Sequence, residues 1–408
     1  MEAKTLKEEE RMTEMKKILA LVLVSLLALS AVAALAEGDT FKLGWYFGLT
    51  GGNSAYGIEC FNGVKLGVDY INANGGLNGQ QIELIGADTQ CSPEEAQKIA
   101  TKLINDDHVD ACIGSMNSGE VIAAAKFFNE AGIYHIGCGT AASWMAEDWP
   151  FVFRAAMNND FAVPIAAALL PKLGYETVAI FNGQEDASIG TANAFEAEFE
   201  KIGIEVVDRE SYSVGDTDYS AQIAKMLSYE PDCVCICVIG EVGGPLVNQL
   251  RLGGYEGIIL DKESFMDSQI EIAGKENSNY IAFSNPYVTY KSVDDCDIPN
   301  MKEYLQLYLD TYGEMVATDS AYRGWDSMMV LAEAAKIAGS NDSDALRDAT
   351  HKVVIPGLGG TLDYTKGNRE GYNEFNSFIL VDGKNLLFDD WFNNGGYEAY
   401  LEDTGLEK

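Results

Sequence analysis

From Phe41 onward, short and mostly apolar runs alternate with longer segments of helical periodicity, and the whole series occurs twice. This alternation constrains the fold more than any other feature of the chain. Runs such as "FKLGWYFGLT", "QIELIGAD" and "VDACIG" have the length of strands. Strands apolar on both sides belong to parallel sheets covered by helices on both faces. The segments between them carry helix signals. "GIECFNGVKLGVDYINANGG" reads as one helix and "SPEEAQKIATKLINDD" as another. In the latter, Ser92 is the expected cap, Pro93 stands at the first helical position, and Glu95 completes a capping box. A helix over 119–131 and the strand "IYHIGCG" complete the first series.

The second series follows "FVFRAAMNND". Strands are expected at "TVAIFNG", "IEVVDRESY", "DCVCICVIG" and "GIILDKES", with helices at "ANAFEAEFEKIG", "TDYSAQIAKMLSYE" and "GGPLVNQLRLGG". The fold class is therefore α/β, two units of mostly parallel sheet flanked by helices. After Tyr290 the pattern is mixed. Helices are expected at "NMKEYLQLYLDTYG" and "SAYRGWDSMMVLAEAAKIAG", and a hairpin turning at "DGK" within "NSFILVDGKNLLFDDWF".

The N-terminus reads as a targeting signal. Lys16 and Lys17 precede "ILALVLVSLLALSAVAALA", and Ala34-Leu35-Ala36 fits a small-x-small cleavage site. A cationic start, an apolar middle and a small-residue exit define a secretory signal peptide over residues 1–36. Translation from Met15 would retain all three parts. No Cys stands at the cleavage point to carry a lipid anchor. The expected location is the periplasm, or another extracytoplasmic space. The 408 residues include 63 acidic and 28 basic ones, a formal charge of -35. Phosphate backbones and anionic membranes need basic stripes, so nucleic acid and membrane surfaces are excluded as partners.

Eight cysteines in an exported chain raise the question of disulfides. Cys233, Cys235 and Cys237 alternate within one strand and share one face, where they serve as small core residues. Cys60 and Cys91, both near strand-to-helix loops, are the one candidate pair. There is no CxxC pair and only three histidines (His108, His135, His351), so no zinc site is expected. Asp294, Asp295 and Asp297 lack the spacing of a calcium loop and read as a solvated turn.

In open α/β sheets, ligands sit beyond the carboxyl ends of strands. Here those ends read "GLTGGNSAYG", "GSMNSG", "GCGTAAS", "NGQEDAS" and "GEVGG". They supply Gly, Ser, Thr and Asn rather than acid–base pairs. Glycines admit a ligand close to the backbone, and hydroxyls with free amides at a helix start receive a carboxylate. Ser118 and Thr140 are the candidates, and as isolated residues either one could simply cap a helix. No nucleophile elbow, P-loop, zinc-protease or dinucleotide motif occurs, so no enzyme activity, catalytic residue, metal or cofactor is expected.

The stretch "YFGLTGGNSAYGIECFNGVKLGVDYINANGGLNGQQIELIGADTQCSPEEAQKIATKLINDDHVDACIGSMNSG" resembles the opening of the type I periplasmic solute-binding proteins. The branched-chain amino-acid (Leu/Ile/Val) binding proteins of ABC transporters are the nearest group. "NEAGI", "FVFRAAMNND", "GDTDYSAQIAKM", "NQLRLGGY" and "YRGWDSM" continue the likeness in order over essentially all of the chain after the signal.

This resemblance implies two lobes joined by three hinge crossings that close on a ligand. By alignment, lobe 1 takes residues 40–157 plus 287–375 and lobe 2 takes 158–286 plus 376–408, with crossings near Met157, Pro286 and Asn376. Carried over by position, Ser118 matches the family's carboxylate-binding Ser. Gly139, Thr140 and Ala141 match the stretch that adds backbone and hydroxyl contacts. The family usually has Thr at Ala141, and Thr140 or Ser143 stands close enough to substitute. Glu263 matches the acid that pairs with the ligand's ammonium, with Lys262 beside it. Tyr56 and Trp325 match aromatics that wall the side-chain pocket, and Trp144 lies just past the Thr140 loop. Two lobe 2 positions that the family fills with Tyr are Ala187 and Ile239 here.

The implied role is a monomeric binding protein that captures a small amino acid, aliphatic or branched, and delivers it to an ABC permease. A small amide, urea or aromatic acid as ligand, or a sensory role, are the alternatives.

Overall fold

The computed structural model describes residues 40–406 except 214, 262–264, 266 and 297. The first sheet is built from β1 (Phe41–Phe47), β2 (Ile82–Asp88), β3 (Ala111–Gly114), β4 (Tyr134–Gly137) and β5 (Val152–Arg154). Its strands are parallel in the order β2-β1-β3-β4-β5. Parallel neighbours need crossovers, and α1 (Ser54–Ala73), α2 (Pro93–Lys102) and α3 (Ser118–Glu130) supply three of them. Ser92 caps α2 by accepting the Glu95 N–H at 3.3 Å. The reciprocal half of the expected capping box is missing, because the Glu95 carboxylate turns outward to Lys98 at 2.6 Å.

The chain then enters a second unit through α4 (Asn159–Ala167) and α5 (Leu169–Leu173). There it alternates β6 (Thr177–Gly183), α6 (Asp186–Ile202), β7 (Glu205–Tyr212), α7 (Ser220–Leu227), β8 (Cys233–Cys237), α8 (Gly243–Leu252), β9 (Ile259–Asp261), α9 (Asp267–Ala273) and β10 (Ile281–Asn285). It returns to the first unit for α10 (Pro299–Tyr312), α11 (Ser320–Ala338), α12 (Ser343–Thr350) and the small hairpin β11 (Val354–Gly357) and β12 (Gly360–Asp363). The end of the chain goes back to the second unit as β13 (Asn376–Val381), β14 (Lys384–Leu387), α13 (Phe388–Asn393) and α14 (Gly396–Thr404). The second sheet has the order β14-β13-β10-β9-β8-β6-β7, with β13 and β14 antiparallel to their neighbours. The turn between β13 and β14 has Asp382 at φ 53° and Gly383 at φ 72°, the backbone of a tight hairpin.

Two lobes result, and the chain crosses between them three times. The first core joins Leu43, Ile113 and Ile136 of the sheet to Tyr304, Met328 and Leu331 of the returning helices. The second joins Ile180, Cys235 and Leu260 to Phe388 and Tyr400. Cys233, Cys235 and Cys237 face this core together, while Val234 and Ile236 face the opposite side of the sheet.

All eight cysteines are free thiols, and Cys60 and Cys91 are not paired. Cys60 points into the first core beside Cys138, while Cys91 lies against the Gly48 backbone at the surface loop. Asp294 pairs with Lys302 at 3.6 Å and Asp295 accepts from Ser292 at 2.8 Å. Among the described residues no cluster of acids, histidines and cysteines is arranged to hold a metal, and no helix is long and apolar enough to cross a membrane.

α1 and α11 pack unusually close. A β-carbon at Gly63 would stand 1.9 Å from the Ala321 carbonyl, and one at Gly324 would stand 2.1 Å from the Cys60 carbonyl. Only glycine permits this approach, and it draws Arg323 of α11 toward the start of α1. One buried carboxylate, Asp326, ties the crossings together. It accepts from Tyr287 Oη at 3.0 Å, just after the second crossing, and from Tyr372 Oη at 2.5 Å, before the third. Tyr287 Oη also lies 3.4 Å from the Ala155 carbonyl at the first crossing.

Candidate functional site

Strand order locates the site. In the first sheet β1 lies between β2 and β3, so the connections leaving β1 and β3 diverge and a crevice opens beyond their carboxyl ends. In the second sheet β6 lies between β7 and β8, which creates the same crevice. The two crevices meet. A cavity of about 40 Å³ is lined from the first lobe by Asn53, Tyr56, Met116, Asn117, Ser118, Thr140 and Arg323, and from the second by Ala187 and Ile239. A larger cavity of about 570 Å³, beside Tyr175, Tyr255 and Tyr397, opens at the amino-terminal edge of the second sheet, away from the strand ends where such folds bind ligands.

The polar wall is built at the start of α3. Asn117 caps the helix, its Oδ1 accepting the Gly119 N–H at 3.2 Å. Ser118, the first helical residue, is buried. Its Oγ accepts the Ala141 N–H at 3.1 Å, which leaves the hydroxyl proton to be donated elsewhere. The 139–141 loop is held from behind by Arg154, which forms a two-pronged pair with Glu370 at 2.7 Å on each prong. Arg154 Nη1 also donates to the carbonyls of Gly139 at 3.3 Å and Ala141 at 2.8 Å. Because a trans peptide points its C=O and N–H in opposite directions, this grip turns the Thr140 N–H away from Arg154. Glu120 stands in the first turn of α3, where Thr89 Oγ donates to it at 2.8 Å. Burial pushes its carboxyl up toward the neutral form, which lessens its opposition to an anion at the helix start.

Arg323 faces the same cavity from α11. It is buried, and its Nη2 donates to Asp319 Oδ2 at 2.6 Å. Asn285 Nδ2 donates to the same oxygen at 3.3 Å.

Of the residues expected from sequence, Tyr56, Ser118 and Thr140 line the cavity together. Gly139 and Ala141 flank it and grip Ser118 rather than open into it. Ala187 and Ile239 face them from the other lobe. Trp325 is elsewhere. It packs on Tyr70 and Tyr304, with ring centroids 5.3 Å and 5.1 Å away, in a separate depression of the first lobe. Two residues along a helix rotate a side chain by roughly 200°, so Arg323 and Trp325 face opposite sides of α11. Trp144 is fully buried under Arg154, whose guanidinium carbon stands 4.6 Å from its ring centre. Ser143 is exposed. Glu263 and Lys262 lie outside the described residues.

Sequence reasoning missed Asn53, Met116, Asn117 and Arg323. For Arg323 a signal existed, namely a lone cation among small and apolar residues in "SAYRGWDSMM". The site offers hydrogen-bond donors to an anion or a carbonyl oxygen, and among the described residues lining it no nucleophile and base are in contact. At about 40 Å³ the cavity is smaller than an amino acid.

Comparison with known proteins agrees with this architecture. The family profile described as periplasmic binding protein matches residues 40–383. An amino acid binding protein of Pseudomonas aeruginosa is 29% identical over 256 residues, covering 60% of this chain and 67% of its own length. The Leu/Ile/Val-binding protein homolog 3 of Brucella melitensis is 25% identical over 341 residues, covering 82% of this chain and 90% of its own. Among solved structures, the branched-chain amino acid transporter substrate binding protein of Streptococcus pneumoniae, in complex with isoleucine, superposes with a TM-score of 0.74 at 26% identity. That match covers 85% of this chain and 98% of the other.

Proposed function

Because the chain belongs to the periplasmic binding protein family, we propose that it captures a small amino acid, aliphatic or branched, between its lobes and delivers it to the membrane permease of an ABC importer. The observation that carries this reading is the meeting of two strand-order crevices on one cavity, with Ser118 and Thr140 at a helix start on one side and Ala187 and Ile239 on the other. Helix-start amides and a free hydroxyl proton suit the ligand's carboxylate. Glu263 is proposed as the partner of its ammonium. Relatives that carry the name Leu/Ile/Val-binding, and a structural neighbour holding isoleucine, support the choice of ligand.

Residues 1–36 are proposed as a cleaved signal that sends a monomer outside the cytoplasm. Lobe 1 is proposed as residues 40–157 plus 287–375 and lobe 2 as 158–286 plus 376–408. Ligand contacts from both lobes favour the closed form by differential affinity, and the permease reads that form.

Thermal unfolding of the chain from Glu37 onward, against a panel of amino acids, tests the reading. A ligand that binds only the native state raises the midpoint. A rise with leucine, isoleucine or valine is expected. No rise with any amino acid would overturn it.

A further inference from the structure

Where Asn117, Ser118 and Arg323 line the cavity, the described side chains offer chiefly donors. Ser118 Oγ already accepts from Ala141 at 3.1 Å, so what it offers inward is a proton. Asn117 Oδ1 is likewise engaged by Gly119 at 3.2 Å. A guanidinium donates and never accepts, and Arg323 is on the wall. The amides at the start of α3 add a positive dipole end. Asn117, Ser118 and Arg323 line the same cavity of about 40 Å³. Asp319, which is not among the lining residues, accepts from Arg323 Nη2 at 2.6 Å.

A carboxylate brings only acceptors to such a wall. A primary amide brings two N–H groups that need acceptors of their own. We propose that Arg323 holds the ligand's carboxylate directly, together with Ser118 and Thr140, and so makes the site select acids against their amides. The inference rests on the cleft being the ligand site. It goes further by naming the group that is held and a residue that holds it. It also separates the ligand class from amides and urea, whose N–H groups would meet donors where a carboxylate brings a second acceptor oxygen.

The test is calorimetric titration of the mature chain with matched trios: each amino acid, its primary amide, and the acid lacking the amino group (leucine, leucinamide and 4-methylpentanoate, for example). The amide of the tightest amino acid should bind at least roughly 100-fold more weakly, since a site built for one hydrogen-bonding pattern rejects the other strongly. Arg323→Lys, and the charge-balanced Asp319→Asn/Arg323→Gln pair, should lose about 10-fold to 100-fold for the amino acid, the range of a charge-assisted hydrogen bond. The gap between acid and amide should shrink with it. If neither variant folds, the acid–amide gap in the unmutated protein decides. An amide that binds as well as its acid overturns the inference, as does unchanged affinity in a folded variant, and the amino-acid reading survives both. Binding of deaminated acids without amino acids supports the inference and overturns the amino-acid reading. Binding of no acid at all overturns both.

Discussion

Gly139 and Ser118 are packed so closely that a β-carbon at position 139 would stand 2.7 Å from Ser118 Oγ and 3.1 Å from its α-carbon. The polar wall of the cleft exists in its present shape only because residue 139 has no side chain. Gly139→Ala must displace either the start of α3 or the loop that donates to Ser118. Forced overpacking of this kind costs about 1–3 kcal/mol. We expect a midpoint a few degrees lower and a ligand Kd raised about 10-fold or more. Thermal unfolding and calorimetry measure the two effects. A folded variant with wild-type affinity would show that the loop plays no part in binding.

The Arg154–Glu370 pair is buried, with side chains 0% and 3% exposed. Removing one member leaves the other charged and desolvated, at a cost of about 3–5 kcal/mol. Glu370→Ala should therefore destabilise the protein by that amount in urea unfolding. Lys65–Asp69, with side chains 47% and 55% exposed, is the control. Alanine at either of its positions should cost less than about 1 kcal/mol. Equal costs at the two pairs would contradict this account of the loop's support.

Asp326 is fully buried at the junction of the crossings, and burial pushes its carboxyl up to about 7 from 3.8, against the pull of Tyr372, Leu358 and Tyr287. The folded state therefore holds a proton that the unfolded state releases at lower pH. The stability from that proton is complete below pH 3.8 and is lost as pH rises through 7. The shift corresponds to about 4 kcal/mol between those limits. Glu59 and Glu120 are also raised by burial and act in the same direction, so the comparison must be against a variant. Asp326→Asn will start less stable, because with its oxygen kept on the Leu358 N–H its amide nitrogen would face the Tyr287 and Tyr372 hydroxyls that now donate to Oδ2. Its stability should nevertheless fall less steeply from pH 4 to 8 than the wild type's. Parallel curves would remove Asp326 from the explanation.

Ala187 is small where it faces Ser118 and Thr140 across the cavity. A ring larger than the Tyr that the family carries at this position would overfill the cavity of about 40 Å³ without touching either core. We expect Ala187→Trp to weaken ligand binding at least 100-fold, as a lost near-complement does. The unliganded midpoint should stay within about 1 °C, since the residue is not buried in a core. Retained affinity would place the ligand outside this cavity.

Much of this was legible in the sequence for a physical reason. Long helices with caps and continuous apolar strands announce themselves locally, as at Ser92–Pro93 and in "DCVCICVIG". Ser118 and Thr140 were legible because crevices follow strand ends. Trp325 lies away from the cavity because an aromatic's facing depends on helix phase and on what packs against it. β10 was overlooked, as "IAFSN" follows a polar stretch and looks like loop until β9 and β13 pair with it on either side. The lone cation in "SAYRGWDSMM" marks Arg323, but its own neighbours do not show which way it faces. It reaches the cavity only through the glycine-mediated approach of α1 and α11, a contact between distant parts of the chain.

The zwitterion assignment is tested at both ends of the ligand. Ser118→Ala removes the hydroxyl proton offered to the carboxylate, and it also removes the acceptor of the Ala141 N–H. We expect about a 10-fold loss, the size of one hydrogen bond to a charged group. Glu263→Ala should remove amino-acid binding, a loss of at least roughly 100-fold, because a buried ammonium is left without its partner. The fold should persist in both variants. The two ends separate with leucine and its deaminated analogue, 4-methylpentanoate. Ser118→Ala should weaken both ligands alike, whereas Glu263→Ala should weaken leucine and spare the analogue. Leucine bound with normal affinity by folded Glu263→Ala would sink the ammonium site and leave the carboxylate end to stand alone.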